Sequence, residues 1–256
     1  MAPAPAVAFL GVDGCRGGWI CARWDGASGL ELTRIAEVAE LFGAAGPHPV
    51  LAIDMPIGLP ERVGPGGRAP ERLVRPLLGG RQSSVFSVPA RAAVEAGLSE
   101  GADETTRYGA ACAAARASSD PPRAVAKQSF HLFPKIAEVD RLLRQRPELL
   151  PQVHECHPEV AFWAMNGQRA LALPKKVKNR PHPPGLDLRI GLLAAQGVPV
   201  DTLTMQLALA LKAGLDDLLD ACACAWTAKR VANGKALRFP DPPDRDHLGM
   251  PVCISA

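Results

Sequence analysis

Hydrophobic positions open the chain in four short runs separated by turn residues. Residues 7–13 are apolar until they reach an aspartate, residues 19–24 are β-compatible, and residues 29–35 alternate about leucine and threonine. Between the first two runs, Asp13-Gly-Cys-Arg-Gly-Gly18 reads as a tight glycine turn and makes them a hairpin. The third strand, over 30–35, leads through a short helix at 37–42 into residues 50–54. That run, Val-Leu-Ala-Ile-Asp, is apolar up to its closing acid, the pattern of a central strand covered on both faces. The opening predicts β-β-β-α-β.

From 58 to 128 the texture changes to Gly, Pro, Arg and Ala, with few large apolar residues. Helices are predicted over 70–78, 90–96 and 104–117, and the stretch reads as an insertion layered on the core. Beyond it, the pattern predicts a helix over 136–145, ended by Pro147 and Pro151, and a strand over 152–157. Pro158 suits the opening of a short helix over 159–165. Helices over 186–195, 202–210 and 215–232 follow, the last stopped by Asn233-Gly234. The tail from Pro240 reads as loop. One α/β domain over 1–256, carrying a helical insertion at 58–128, is the expected organisation.

Composition narrows the class. An apolar share of 47% with 21% charged residues is that of a folded globular chain. The net charge of +3 excludes a strongly cationic, histone-like binder and leaves room for a local basic groove. Seven cysteines are scattered at 15, 21, 112, 156, 222, 224 and 253, an odd number that suggests reduced thiols in a cytoplasmic protein. The opening residues lack a basic segment and their apolar stretch is cut by Asp13, so no secretory signal is expected. No apolar run reaches the roughly 18–20 residues of a membrane span.

Candidate chemistry lies in the acids. Asp13 and Asp54 each follow an apolar run and precede a glycine or proline turn; on parallel neighbouring strands both would emerge at the carboxyl edge, where α/β proteins place ligands. Each could also be a turn former. In the last helix, Asp217 and Asp220 are three apart and share a face, while Ala221, Ala223 and Ala225 permit close packing. Asp216 is explained by the helix dipole, whereas Asp220, embedded in Leu-Leu-Asp-Ala-Cys, is not. Four carboxylates from three segments suit hard cations, Mg²⁺ or Mn²⁺, one or two of them, and hence phosphodiester hydrolysis.

A meander with an acid on strand one, an acid closing strand four and Asp-x-x-Asp-Ala on the last helix resembles the ribonuclease H-like superfamily. More closely, the chain resembles the bacterial domain-of-unknown-function family 429, described as predicted nucleases. The resemblance rests on Gly11-Val-Asp-Gly-Cys-Arg-Gly-Gly-Trp19, Ala52-Ile-Asp-Met-Pro-Ile-Gly-Leu-Pro60, Arg81-Gln-Ser-Ser-Val-Phe86, Glu155-Cys-His-Pro-Glu159 and Asp217-Leu-Leu-Asp-Ala221. It implies a mixed sheet of three antiparallel strands plus parallel strands, flanked by helices, and places the superfamily's acids on Asp13, Asp54, Asp217 and Asp220. One departure is Ala69-Pro-Glu-Arg-Leu-Val-Arg75, where such proteins often carry Cys-Asp-Arg.

Other residues extend the picture. Glu155 is a further ligand or base, or else a salt-bridged strand residue. His154, Cys156 and His157 lack a second Cys/His pair for zinc. Arg16, Arg81, Ser83 and Ser84 suit phosphate contacts, as do Lys175, Lys176, Lys178 and Arg180, although such a run is also what a solvated loop carries. With aromatics at 5%, nucleic acid would be held through its phosphate backbone. Two other classes stay open: a non-catalytic ligand-binding or interaction scaffold, and an actin- or sugar-kinase-like phosphotransferase using the glycine turn at 14–18.

Overall fold

The computed structural model describes residues 8–43, 49–178 and 180–256; Val7, the expected start of the first strand, and Asn179 lie outside them. Strands β1 (Phe9–Cys15), β2 (Gly18–Trp24) and β3 (Leu30–Ile35) form an antiparallel meander. A 3₁₀ turn at Val38–Leu41, flanked by Glu37 and Phe42, stands where the short helix was expected. It leads toward β4 (Val50–Ile53), which pairs with β1 in parallel. Helices α1 (Ala69–Val74), α2 (Arg91–Ala96), α3 (Glu104–Ala117), α4 (Lys127–Phe130) and α5 (Phe133–Gln145) precede β5 (Val153–Cys156), which is parallel to β4. Next come α6 (Pro158–Met165), a small hairpin of β6 (Lys176–Val177) and β7 (Arg180–Pro181), and helices α7 (Pro183–Ala195), α8 (Met205–Ala210) and α9 (Leu215–Ala232). Strands β8 (Arg238–Arg245) and β9 (Pro251–Ser255) complete a seven-stranded mixed sheet of order β3-β2-β1-β4-β5-β9-β8.

Two further local expectations need correction. The tail from Pro240 is not a loop: β9 pairs in parallel with β5, and β8 pairs antiparallel with β9. Three prolines, at 240, 242 and 243, hide the strand pattern of β8 and, lacking N–H donors, confine it to the sheet's edge. The helix expected over 70–78 stops at Val74 and continues as 3₁₀ turns over Arg75–Ser84, which kink at Gly79, where φ is 52°.

The sheet separates two hydrophobic cores. Leu10, Val12, Leu51, Ile53 and Val153 face α2, α3 and α5. The alternate residues Phe9, Cys15, Ala52 and Cys156 face α6 to α9. Residues of the 58–128 stretch, including Val88, Val94 and Val125, share the first core with the sheet. On the other face α9 lies directly on β1. Gly11 makes this possible, since a Cβ there would overlap the Ala221 carbonyl and the Ala225 nitrogen. Leu218 and Leu219 are fully buried beneath α9, each worth about 1.5–3 kcal/mol of transfer free energy. Among the described residues, no helix is long and apolar enough to cross a membrane.

Candidate active site

Asp13 and Asp54 sit side by side. Parallel pairing of β1 with β4 ends at Val12 and Ile53, and the Asp54 N–H then donates to the Val12 carbonyl at 2.9 Å. By the two-residue period, Asp13 follows Gly11, and Asp54 follows Ala52, onto the face that α9 covers. β1 itself runs on to Cys15 through its hairpin with β2, so Asp13 ends the parallel ladder but not the strand. The contact at Gly11 fixes α9 in depth and brings Asp220, next to Ala221, to the same edge. Asp220 is 2% exposed.

Three carboxyl groups crowded in this way resist ionisation. Burial raises Asp13 well above the ordinary carboxylate range, and the charges of Asp54 and Asp220 raise it further. Burial likewise lifts Asp54 to about 6 and Asp220 to about 7, with Lys175 pulling both back down. Asp54 also shares a hydrogen bond with Asp13. The Lys175 ammonium stands among the acids. It forms an ion pair with Asp220 Oδ2, and its charge acts on Asp13 and Asp54 as well. The other oxygen of that carboxylate, Asp220 Oδ1, is buried and has no hydrogen-bond partner.

A further acid belongs to this neighbourhood. Glu159, in the first turn of α6, is buried, and its charge reaches Asp54 and Asp220. It pairs with Arg189, which is fully buried on α7. Beside it, the His157 ring meets the Ser84 carbonyl at 3.3 Å, and burial pulls its pKa down. Sequence reasoning names Glu159 only as the last residue of the Glu155–Glu159 motif, without a role, and does not name Arg189. The strand-to-helix junction Cys-His-Pro-Glu, directly after an apolar strand, was the available signal for Glu159; nothing in the α7 pattern marks Arg189.

A model of the family described as "Protein of unknown function (DUF429)" matches residues 11–245. The chain belongs to this family. No curated protein and no solved structure is matched. The span common to the family includes Asp13, Asp54, Glu159, Lys175 and Asp220.

The remaining sequence candidates are distributed unevenly. Asp217 is half-buried at the start of α9, where its Oδ2 accepts the Gly214 N–H at 2.8 Å. Glu155 is registered with Ile53 and therefore lies on the opposite face. There it binds Arg68 (Oε1 to Nη2, 2.6 Å) and accepts the Ile57 N–H at 2.8 Å. Asp54, Glu155 and His157 still reach one small cavity at the sheet's rim, about 30 Å³. A larger one of about 240 Å³, between Phe86, Val88 and Ser129, is lined by none of the four aspartates. Arg16 is exposed in the β1–β2 turn. Arg81 is half-buried, and Ser83 and Ser84 are exposed, with the Ser84 hydroxyl donating to the Arg81 carbonyl. Lys176 pairs with Asp216 at 2.6 Å, whereas Lys178 and Arg180 are exposed on the β6–β7 hairpin.

As the side chains stand, no three His, Cys, Asp or Glu among the described residues form a ligand shell for a metal ion. The donors nevertheless fit a hard cation: all are carboxylate oxygens, one of them buried and unpartnered, and their mutual repulsion is what a divalent charge relieves.

Proposed function

We propose that the chain is a metal-dependent phosphodiester hydrolase on a ribonuclease H-like scaffold, acting on a nucleic-acid backbone. One observation carries the reading. Asp13, Asp54 and Asp220 converge from three separate elements on one sheet edge, with Asp220 Oδ1 left without a partner. An antiparallel meander continued by parallel strands, in the order β3-β2-β1-β4-β5, supports the scaffold. Mg²⁺ or Mn²⁺ would be held by Asp13, Asp54 and Asp220, with Asp217 at the rim. When bound, such an ion supplies Lewis-acid charge to a phosphodiester and acidifies a water.

The chain's own residues do the rest. Asp13 and Asp220 are buried and Asp54 is half-buried beside them, which limits bulk water at the acids and strengthens the electrostatic interactions among them. Arg16 in the β1–β2 turn and Lys178 on the hairpin present exposed cations for a phosphate backbone. The test is a calorimetric Mn²⁺ titration of the wild type and an Asp13→Asn/Asp220→Asn double variant, together with DNA and RNA cleavage assays. Binding and cleavage by the wild type, both lost in the variant, are expected. No Mn²⁺ binding to the wild type, with or without nucleic acid, would overturn the reading and leave a ligand-binding scaffold.

A further inference from the structure

We infer that Lys175 is the resident counter-ion of the carboxylate site, and that a divalent ion enters by displacing its ammonium from Asp220. The displacement half of this inference rests on the metal-dependent reading above; the counter-ion half does not.

The backbone around Lys175 is tied down to an unusual degree for a polar surface segment. Three consecutive carbonyls are taken up by α7 and the residue before it. The Leu173 carbonyl accepts from Arg189 Nη1 at 3.2 Å, the Pro174 carbonyl from His182 Nδ1 at 3.0 Å, and the Lys175 carbonyl from the His182 N–H at 2.9 Å. Gly185 belongs to the same arrangement, because a Cβ there would overlap the Pro174 carbonyl. Arg189 is itself held by Glu159 and by the Gly185 carbonyl at 2.7 Å. A solvated loop needs none of this. Holding the Lys175 backbone still places its ammonium where Asp13, Asp54 and Asp220 converge.

The two partners differ in their freedom to separate. The Asp220 side chain is 3% exposed and sits on a helix locked to the sheet, while the Lys175 side chain is 29% exposed. The ammonium rides on a flexible four-carbon stem and can swing into water; the carboxylate cannot. Its departure would free Oδ2 beside the already unpartnered Oδ1, leaving both oxygens of Asp220 available together. Neighbouring Lys176 makes a similar pair with Asp216 but is 45% exposed, and its charge acts on Asp217 at the rim, while the charges that act most strongly on Asp13 and Asp54 do not include it.

Lys175→Met, which keeps most of the length and removes the charge, tests the inference against Lys176→Met as a control. Titrated with Mn²⁺ alone, Lys175→Met is expected to bind about tenfold or more tightly than wild type, as loss of an adjacent cation requires. Lys176→Met is expected to stay within about threefold. Unchanged or weaker binding by Lys175→Met would overturn displacement. A metal-free readout separates this from the hydrolase reading: thermal unfolding in chelator of Lys175→Met, Asp220→Asn and the double variant. A counter-ion predicts that Lys175→Met lowers the melting temperature and that adding Asp220→Asn recovers part of the loss. Additive effects would overturn the counter-ion role. Should no protein bind Mn²⁺ while the double variant shows recovery, the metal reading and displacement fail and the counter-ion stands.

Discussion

Gly11 on β1 and Ala225 on α9 meet backbone to backbone, with no room between them for a methyl group. Gly11→Ala is therefore expected to destabilise the fold by about 1–3 kcal/mol, the usual range for overpacking, and to weaken Mn²⁺ binding by lifting Asp220 away from Asp13. Urea unfolding and calorimetry report the two effects. Gly191→Ala in α7, where nothing lies within 4 Å, serves as the contrast and should stabilise by about 0.5–1 kcal/mol. A neutral Gly11→Ala would show that α9 does not bear on β1 as described.

Asp13→Asn should abolish cleavage and raise the stability of the metal-free protein. Asn retains the oxygen that accepts the Gly14 N–H at 2.8 Å, and the repulsion from Asp54 and Asp220 disappears. A gain of about 1 kcal/mol in chelator at pH 8, with loss of Mn²⁺ binding, is the expected combination. A variant that cleaves like wild type would sink the mechanism.

Glu155 behaves as a structural acid in this arrangement. Arg68 is buried between Glu155 and Glu71, at 2.6 and 2.7 Å, and also donates to the Ile57 carbonyl at 2.8 Å. Arg68→Met leaves two buried carboxylates without their cation and should cost about 3–5 kcal/mol in denaturant unfolding. Glu155→Gln should reduce stability while leaving Mn²⁺ affinity near wild type. A Glu155→Gln protein of full stability that has lost the metal would return Glu155 to the site.

His154 gives a pH signature of known sign. Burial pulls its pKa down to about 4, and its Nε2 is buried without a partner. A histidine depressed in the folded state stays neutral while the unfolded chain takes up a proton, so its contribution is present above about 6.5 and lost as pH falls toward 4. The raised carboxyl groups act with opposite sign in this window. Wild type is therefore compared with His154→Gln, and their stability difference should fall with acidification by at most about 1.4 kcal/mol per pH unit. A difference independent of pH would mean the imidazole titrates normally.

Much of the fold was legible because it is written locally. The apolar runs ending at Asp13 and Asp54 fix two parallel neighbours, and Gly214 and Asn233 bracket α9 from Leu215 to Ala232 as the pattern requires. Pairing across long separations was not legible. Lys175 reads as part of an exposed basic run, and only the fold carries it across 45 residues to Asp220. Glu155 and Asp54 look equivalent as acids near strand ends, but the register gives one to each face of the sheet. β8 was concealed by its prolines, and β9 is a short run with no alternation to announce it.

The sheet works as a partition. Phe133 and Phe162 are both fully buried, yet they belong to cores on opposite sides of it. Truncating either leaves the other's neighbours untouched, so the two losses should sum within about 0.3–0.5 kcal/mol, as they do for independent sites. Each core can then drift or be redesigned on its own terms. The acids at the carboxyl rim are where that independence stops: Asp54 faces α9 but opens into the cavity that Glu155 lines from the far side. Substitutions from both halves of the molecule should show their epistasis there.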